Sequence, residues 1–331
     1  MLRKIDWDRQ IGRRIQLRDL HVFSAVVEHG SMAKAAAQLG VSQPAVSEVI
    51  AGLEHTLGVR LLDRSPRGIE PTIYGVALLK RSTAAFDELR QGIRDIEFLA
   101  DPTSGELKVA CPSAAAATLI PHIVERFIKL HPRVVVHFDE VASVTRALNF
   151  PELRARTYDL VLARGRALQA EGDSVDDFNV DVLFDDQLVI VAGPENKFSR
   201  RRRIDLSELV DEPWIMHAPY TWNHQRLAEA FRARGLPMPR TNLVTISIPL
   251  LTHFLSRTPH ITACPKSVAR FNSLSILPVD LPARPWPVGI VTLKHRTLSP
   301  LVERFIMCAR EVTGSITGKL SRQTARGRAT R

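Results

Sequence analysis

Near the N-terminus, apolar residues recur at steps of three and four, which is the period of a helix with one buried stripe. The pattern predicts a first helix over residues 17–29, ended by Gly30. Ser31 then occupies an N-cap position before the alanine-rich run 32–39, and Gly40 is typical of a helix C-terminus. Two short helices joined by a tight turn are therefore expected.

A third helix and a hairpin follow directly. Ser42 is a second N-cap, Pro44 suits the first turn of a helix, and apolar residues recur from Val46 until Gly58 ends the pattern. Residues 59–72 then contain two short extended stretches on either side of a Ser-Pro-Arg-Gly turn. The sequence predicts three helices and a hairpin with a basic tip.

The next segment predicts one long helix, from Thr72 to Leu99. Its apolar residues recur at roughly heptad spacing and its four basic residues balance four acidic ones. We expect this helix to pack against a copy of itself or against a neighbouring element. The Asp-Pro-Thr-Ser-Gly run at 101–105 is the predicted linker.

Beyond the linker, short apolar stretches alternate with helical patterns. Predicted strands and helices alternate over 107–163, and a second series begins at 188. This βαβαβ rhythm is typical of parallel sheets with helices on both faces, so the fold class is α/β. In the second series we expect a helix over 222–234, a strand at 244–248 and a helix from Leu250. The stretch after Gly314 has no apolar period and is predicted to be disordered.

Residues 32–51 carry the strongest functional signal. A helix-turn-helix needs a small residue where its helices touch, a turn residue that tolerates positive φ, and apolar residues on the second helix. Ala36, Gly40, Val46 and Val49 meet these needs. The alternative is a three-helix core whose polar residues only cap helices.

The second helix of such a unit enters the major groove of DNA by its N-terminal end. That end presents Ser42, Gln43, Pro44 and Ser47 here. The Gln43 amide suits the edge of an adenine, whereas the hydroxyls of Ser42, Ser47 and Ser31 suit phosphate.

The basic hairpin tip carries Arg64 and Arg67, which fit a DNA backbone or a narrow minor groove. The competing interpretation of these two arginines is a solvated turn. The other arginine run, at 200–203, is expected to be an exposed loop.

The net charge of the chain suggests DNA binding, but its distribution along the sequence gives only weak support. The 331 residues carry a formal charge of +10, which favours a polyanionic partner such as nucleic acid. However, residues 1–100 hold 14 basic and 12 acidic side chains, a net of +2, while residues 313–331 hold five basic and no acidic ones. DNA recognition is therefore expected to rest on a few placed side chains, and the tail to act at most as a nonspecific aid.

Several function classes find no support. The three cysteines are far apart and form no zinc motif or disulfide framework, so neither a metal site nor a cofactor is expected. No hydrophobic run is long enough to span a membrane, and no signal peptide opens the chain, so the expected location is the cytoplasm. An enzyme with a DNA-binding appendage is the alternative, but no GxSxG, GxGxxG, P-loop or HExxH motif appears.

Residues 29–75 resemble the winged helix-turn-helix of LysR-type transcriptional regulators. The match includes the Ser-Gln-Pro-Ala-Val-Ser run at 42–47, the Leu-Glu, Leu-Gly and Leu-Leu pairs at 53, 57 and 61, and Thr72. Three positions depart from the family pattern. Glu48 replaces a basic residue, which puts one phosphate contact in doubt, while Leu62 and Pro71 replace a Phe and a Leu.

The resemblance implies a winged domain, a dimerising linker helix and a two-lobed effector domain like that of periplasmic binding proteins. It also implies homodimers that assemble into homotetramers as dimers of dimers, with promoter DNA, a small-molecule effector and RNA polymerase as partners. The expected parts are an N-terminal extension 1–14, a winged helix-turn-helix 15–72 with its motif at 32–51, a linker helix and hinge 73–104, an effector domain 105–313 and a basic tail 314–331. Within the effector domain, lobe I is 105–183 and 288–313, and lobe II is 184–287.

Candidate effector contacts follow the predicted strands. By the resemblance, the loop with Ser113 and Ala114 lines the effector cavity; a plain N-cap is the alternative role for Ser113. Ser143 is the matching cap on the next helix, and Arg164 could pair with a carboxylate effector or be a lone surface arginine. The second-lobe candidates are His217 and Thr245, which could instead be packing residues. Cys111 and Cys264 are expected to be buried, inert thiols.

The sequence thus predicts a sequence-specific DNA-binding regulator that is not an enzyme and responds to an effector held between two lobes. A constitutive architectural DNA-binding protein that ignores effectors is a further alternative. The effector could be a sugar, an aromatic acid or another small metabolite. The promoter, the choice between activation and repression, and the role of the basic tail stay open.

Overall fold

The computed structural model of the chain describes residues 15–65, 68–141, 150–168, 177–281 and 284–329. The chain divides into two compact units between residues 93 and 94. The first unit begins with three helices and a hairpin, and a long helix follows. Their bounds are α1 Leu17–His29, α2 Met32–Leu39, α3 Gln43–Leu57, β1 Leu62–Ser65, β2 Gly68–Pro71 and α4 Ile73–Ala100. All six predicted elements are confirmed.

The caps of the first helices form as the sequence predicts. The Ser31 hydroxyl oxygen accepts from the Lys34 amide at 3.5 Å, and that of Ser42 accepts from the Ala45 amide at 3.4 Å. Gly40 ends α2 with a φ of 65°, a left-handed conformation that other residues adopt only with strain. These caps fix where α2 ends and where α3 starts.

One apolar core holds the three helices together. Phe23 and Val26 of α1 meet Val46, Ile50 and Leu53 of α3, and each of these side chains is at most 2% exposed. At about 25 cal/mol per Å² of buried apolar area, such side chains supply most of the stabilisation of a small domain.

Two polar side chains fix the hairpin against the helices. The Glu54 carboxylate of α3 accepts from the amides of Leu61 and Leu62, at 2.7 and 3.2 Å. The Thr72 hydroxyl donates to the Arg60 carbonyl at 2.7 Å and accepts from the Gly75 amide at 3.1 Å. The wing is therefore tied both to the end of α3 and to the start of α4.

Helix α4 buries three polar side chains and exposes several apolar ones. Ser82, Asp87 and Gln91 are at most 3% exposed, whereas Ile96 is 69% exposed and Leu99 is 78% exposed. Water-exposed isoleucine and leucine on one helix are unusual for a surface that stays uncovered.

The second unit contains two five-stranded sheets. Lobe I has the strand order β4-β3-β5-β12-β6. Its elements are β3 Ser104–Cys111, α5 Ser113–Ala116, α6 Leu119–Leu130, β4 Arg133–Glu140, α7 Pro151–Arg154, β5 Leu160–Arg164, β6 Phe178–Asp186, β12 Trp286–Leu293 and α11 Pro300–Ala329.

Lobe II has the strand order β11-β7-β10-β8-β9. Its elements are β7 Leu188–Ala192, β8 Trp214–Met216, α8 Trp222–Ala233, β9 Thr241–Val244, α9 Ile248–Arg257, β10 Ile261–Pro265, α10 Lys266–Phe271 and β11 Ser275–Ile276. The strand expected at 244–248 is therefore displaced, and α9 begins at Ile248. Within the alternating strands and helices predicted over 107–163, residues 142–149 lie outside the described residues.

The α/β fold class is confirmed, but the sheets are not wholly parallel, because each contains one reversed strand. Strand β12 is antiparallel to β5 and β6, and β7 is antiparallel to β10 and β11. The chain leaves lobe I at the carboxyl end of β6 and returns through β12. Each crossing strand therefore enters a sheet from the edge where the parallel strands end.

The lobe boundaries also move by a few residues. Strand β6 extends to Asp186 and β12 starts at Trp286, and these two residues face each other in the ladder. Residues 184–186 and 286–287, expected in lobe II, thus belong to lobe I. The sequence analysis missed β6 because aspartate is rare in strands; here Asp181 is held at 2.8 Å by Arg310 of α11.

The C-terminal expectation of disorder is contradicted. Helix α11 starts at Pro300, buries Leu301 and Phe305 against lobe I, and continues to Ala329. Extending an existing helix costs far less than nucleating one, and residues such as Lys319, Leu320 and Ala325 favour helix. The backbone of 314–329 is therefore helical.

Candidate nucleic-acid interface and ligand cleft

The N-terminus of α3 is open to solvent. Ser42, Gln43 and Pro44 are exposed, Ser47 is half-buried, and Val46 directly beneath them is buried. Since the first amides of a helix lack partners within the helix, this end attracts anions such as DNA phosphate. The arrangement leaves the Gln43 amide free to reach a base edge.

Two of the three serines predicted to contact phosphate, Ser31 and Ser42, already cap helices. Their hydroxyl oxygens accept backbone hydrogen bonds in the caps of α2 and α3. A hydroxyl that accepts one bond can still donate its proton to a phosphate oxygen. For Ser31 and Ser42, capping and phosphate contact are therefore compatible roles.

The wing presents Arg64 on β1, where it is exposed and lies opposite Ile69 of β2. Arg67, the second predicted wing contact, lies outside the described residues. Glu48, which departs from the family pattern, is exposed on α3. An acidic side chain there lowers the local positive charge that DNA would meet.

In the second unit, the candidate ligand residues follow the carboxyl ends of parallel strands. Ser113 comes after β3, Arg164 ends β5, His217 follows β8 and Thr245 follows β9. The two crossings bring these edges of the two sheets to face each other. Ligands of open α/β sheets bind at such edges.

Not every lobe I candidate is free to bind a ligand. The Ser113 hydroxyl donates to the carboxylate of Glu140 at the end of β4. Ala114 lines the cavity between the lobes. Ser143, the expected cap of the next helix, lies outside the described residues.

Arg164 is the charged candidate, and the structure places it largely inside the protein. Its side chain is 17% exposed, and its Nη2 lies 3.4 Å from Oδ2 of Asp186. Burial lowers the pKa of Arg164, while Asp186 opposes that shift. Both residues line a cavity of about 10 Å³, room for roughly one water molecule.

Asp186 ties the lobes together. Its carboxylate accepts from the Ser267 hydroxyl at 2.6 Å, the Ser267 amide at 3.2 Å and the Gln187 amide at 2.9 Å. Ser267 belongs to α10 of lobe II, whereas Asp186 ends β6 of lobe I. The sequence analysis named neither residue, since they are 81 positions apart and form no motif.

Among the lobe II candidates, His217 is buried and Thr245 is half-buried. The His217 ring lies 3.3 Å from the Asn223 amide nitrogen, and its carbonyl lies 3.1 Å from Nδ1 of His224. The Thr245 hydroxyl accepts from the Ser247 amide at 3.0 Å. Burial, together with the positive charges of Arg164 and His224, lowers the pKa of His217 to about 4, so its ring is neutral at pH 7.

This shift predicts a pH-dependent stability. Unfolded His217 takes up a proton near pH 6.5, whereas the folded form does so only near pH 4, so the unfolded state binds more protons between these values. The free energy of unfolding should therefore fall as the pH drops from about 6.5 to 4, by up to about 3 kcal/mol. Urea unfolding at pH 7 and pH 5 measures this loss.

The matched comparison uses two histidine variants of lobe II. His217→Asn should flatten the pH dependence between pH 7 and 5. His253→Asn, at an exposed position of α9, should leave it unchanged. An equal pH slope in wild type and His217→Asn would show that this ring does not carry the effect.

An aromatic pair at the crossing was also missed by the sequence analysis. Trp222 of α8 stacks on Trp286 of β12 with centroids 4.1 Å apart, and Arg226 lies 5.5 Å from the Trp286 ring centroid. Trp286 presses on Gly165, which has a φ of 74°, so closely that a Cβ there would lie 1.7 Å from the ring. Only glycine fits this position after Arg164.

The thiols behave as expected. Cys111, Cys264 and Cys308 are free and buried. Burial raises the pKa of Cys111 to about 12 and also raises that of Cys264, so neither forms a reactive thiolate at neutral pH. Across the described ranges, no group of three or more His, Cys, Asp or Glu side chains could hold a metal ion.

The sequence matches two family models that together cover most of the chain. Residues 17–76 match the bacterial regulatory helix-turn-helix protein model of the lysR family, and residues 100–314 match the LysR substrate binding domain. The chain belongs to the LysR family. It is therefore a DNA-binding transcriptional regulator, not an enzyme, with an effector-binding domain of two lobes.

Similar proteins agree with this assignment. The chain is 28% identical over 294 residues to the HTH-type transcriptional regulator GbpR of Azospirillum brasilense, covering 87% of this chain and 83% of that one. It is 26% identical over 275 residues to TdcA of Escherichia coli, covering 81% and 85%. Both relatives match this chain along most of its length and most of their own.

Solved structures share the fold. A full-length OxyR variant from Pseudomonas aeruginosa superimposes with a TM-score of 0.59 at 18% identity, covering 90% of this chain and 94% of that one. CbnR in complex with its target DNA gives 0.50 at 22% identity, covering 90% and 100%. In the part of this chain that the structure describes, no helix is both long and apolar enough to cross a membrane.

Proposed function

We propose that this LysR-family regulator reads its operator with the N-terminus of α3 and grips the flanking backbone with the wing. The carrying observation is that Ser42 and Gln43 stand exposed at the start of α3 over the buried core of the domain. Gln43 contacts base edges, Ser31, Ser42 and Ser47 contact phosphates, and Pro44 shapes the first turn between them. Arg64, with Arg67, contacts the backbone or the minor groove beside the wing.

Gln43→Ala and Arg64→Ala should separate these two roles. Gln43→Ala should cost about 1–3 kcal/mol of discrimination between operator and scrambled DNA, because only base contacts carry sequence information. Arg64→Ala should weaken binding to both DNAs alike and reduce the salt dependence. Fluorescence anisotropy with both DNAs at several salt concentrations measures both effects.

Each variant has a matched control. Gln38→Ala changes an exposed glutamine of α2, and Arg81→Ala changes an exposed arginine of α4. Both controls should bind like the wild type. If Gln43→Ala leaves the operator preference intact, this face of α3 does not read the sequence.

We also propose that two copies of the chain pair through α4. Ile73, Ile93, Ile96 and Leu99 form an exposed apolar set on this helix. A second copy would remove them from water, as in a coiled coil. Such a dimer would present two α3 helices to two half-sites, and two dimers would form the homotetramer.

The effector site of this proposal is the cleft between the lobes. Arg164, Ala114, His217 and Thr245 lie on its two sides, with Ser113 at the lobe I edge. Ser143, which lies outside the described residues, stays a predicted contact. A ligand that prefers one lobe arrangement would shift the population of DNA-bound states by its differential affinity. The proposed mechanism uses no cofactor. The regulator would act on RNA polymerase at a promoter. It would work in the bacterial cytoplasm, where its DNA lies.

A further inference from the structure

Seven of the eleven residues that line the cavity between the lobes are apolar. Pro112, Ala114, Leu119, Ala163, Phe184 and Val288 line it. The remaining polar side chains are mostly engaged: the Thr118 hydroxyl donates to the Ala114 carbonyl at 2.7 Å, and Ser267 bonds to Asp186. Few polar groups are left to bind a ligand.

Arg164 is the exception. Its Nε is buried and has no hydrogen-bond partner among the described residues. Its contact with Asp186, at 3.4 Å, is longer than the 2.7–2.9 Å that is typical of a strong charged hydrogen bond. The guanidinium therefore has unused donors in a place where unused donors are costly.

Asp186 does not depend on Arg164. Three donors from Ser267 and Gln187 already bond its two oxygens. The other titratable neighbours add no negative charge: His217 is neutral, and Lys266 is a half-buried cation beside Arg270. A second anion could take the arginine without leaving Asp186 unsatisfied.

We propose that the effector is a small organic acid with an apolar body, whose carboxylate binds Arg164 in place of Asp186. This proposal rests on the proposed function, because it names the ligand class of the same cleft. A carboxylate matches the planar fork of a guanidinium and would engage the free Nε. A sugar fits poorly, because its many hydroxyls would meet apolar walls and lose their hydrogen bonds to water.

The same contacts link binding to the lobe arrangement. The cavity of about 10 Å³ is too small for an organic acid, so the ligand enters only when the lobes part around it. Arg164 then turns from Asp186 to the ligand. Because Ser267 of lobe II lines the same cavity and bonds to Asp186 of lobe I, widening the cavity changes this contact between the lobes.

The test compares acids with their amides on the full-length protein. Butyrate, cyclohexanecarboxylate and benzoate are each titrated against wild type beside the carboxamide of the same shape, with glucose and galactose as sugar probes. Isothermal titration calorimetry at fixed ionic strength should show at least one acid bound about tenfold or more tightly than its amide. The sugars should show no binding.

Variants assign the preference to its residue. Arg164→Met should abolish the acid preference, whereas Arg126→Met, at an exposed arginine paired with Glu311, should keep it. Asp186→Asn should strengthen acid binding several-fold, because it removes the competing charge while its amide oxygen can still accept from Ser267. If circular dichroism shows that Arg164→Met does not fold, two folded variants replace it. Arg164→Lys should keep a reduced preference for the acid over its amide. Asp186→Asn should bind the acid more tightly than the wild type, and weaker binding would contradict the proposal.

Several outcomes would overturn the proposal. They are equal binding of acid and amide, sugar binding, an unchanged preference in a folded Arg164→Met protein, or no binding of any acid. Operator binding by anisotropy, measured on the same preparations, reports separately on the proposed function. A protein that binds DNA but no acid would refute the ligand class alone, and one that binds acid but no DNA would refute the proposed operator reading alone.

Discussion

Phe23→Ala should unfold the DNA-binding unit and abolish operator binding. Phe23 is fully buried at the centre of the cluster that joins α1, α2 and α3. Truncating a buried phenylalanine removes its transfer free energy and leaves a cavity, which together cost about 3–5 kcal/mol. A domain of this size has little more stability than that to lose.

Two measurements test this prediction. Circular dichroism monitors urea unfolding of the full chain, and fluorescence anisotropy measures operator binding. The transition of residues 94–331 should stay in place, because that unit has its own cores. Leu17→Ala, at a position of α1 that is half exposed, is the control and should change stability by less than about 0.5 kcal/mol. Normal operator affinity in Phe23→Ala would show that this core does not support the α3 surface.

Asp159→Ala should destabilise the second unit by about 3–5 kcal/mol, because it removes the carboxylate of a buried ion pair. The Asp159 side chain is 5% exposed, and that of Arg296 is 4% exposed, with Nη2 and Oδ1 3.0 Å apart. Arg94 of α4 approaches the same oxygen at 3.3 Å, and the Lys108 amide donates to the other at 2.9 Å. One carboxylate thus joins the end of the linker helix to two parts of lobe I.

Thermal unfolding of the full chain compares this variant with Glu125→Ala. Glu125 pairs with Lys129 on the exposed face of α6, so its loss should cost less than about 0.5 kcal/mol. The double variant Asp159→Leu with Arg296→Met should recover part of the loss, since it removes the buried guanidinium as well. If Asp159→Ala and Glu125→Ala have equal effects, the buried cluster does not stabilise the unit.

The first unit was predictable because its signals are local. Ser31 and Ser42 act as caps three residues before the amides they bind, and Gly40 lies at the end of the helix it terminates. Such interactions depend on neighbouring residues, so the order of residues alone reveals them. The exposure of Gln43 at the start of α3 followed from the same local pattern.

The second unit was predictable only in part. Strand and helix periodicity located most elements and placed Arg164 and His217 after strands, but it could not show which strands pair or in which direction. The reversal of β7 and β12 follows from the two chain crossings between the lobes. The helical backbone of 314–329 was missed because these residues have no apolar period of their own. They continue the helix that begins at Pro300, and that continuation is not visible within the segment.

The sequence by itself determined the helix-turn-helix, the wing, the linker helix and the family, since these depend on spacing within short windows. Only the tertiary structure decided which groups meet in the cleft. Asp186 reaches Ser267 across 81 residues and Arg164 across 22, and Asp159 reaches Arg296 across 137. A buried charge is compensated by whichever partner the fold brings within hydrogen-bond distance, and that distance is a property of the packed chain.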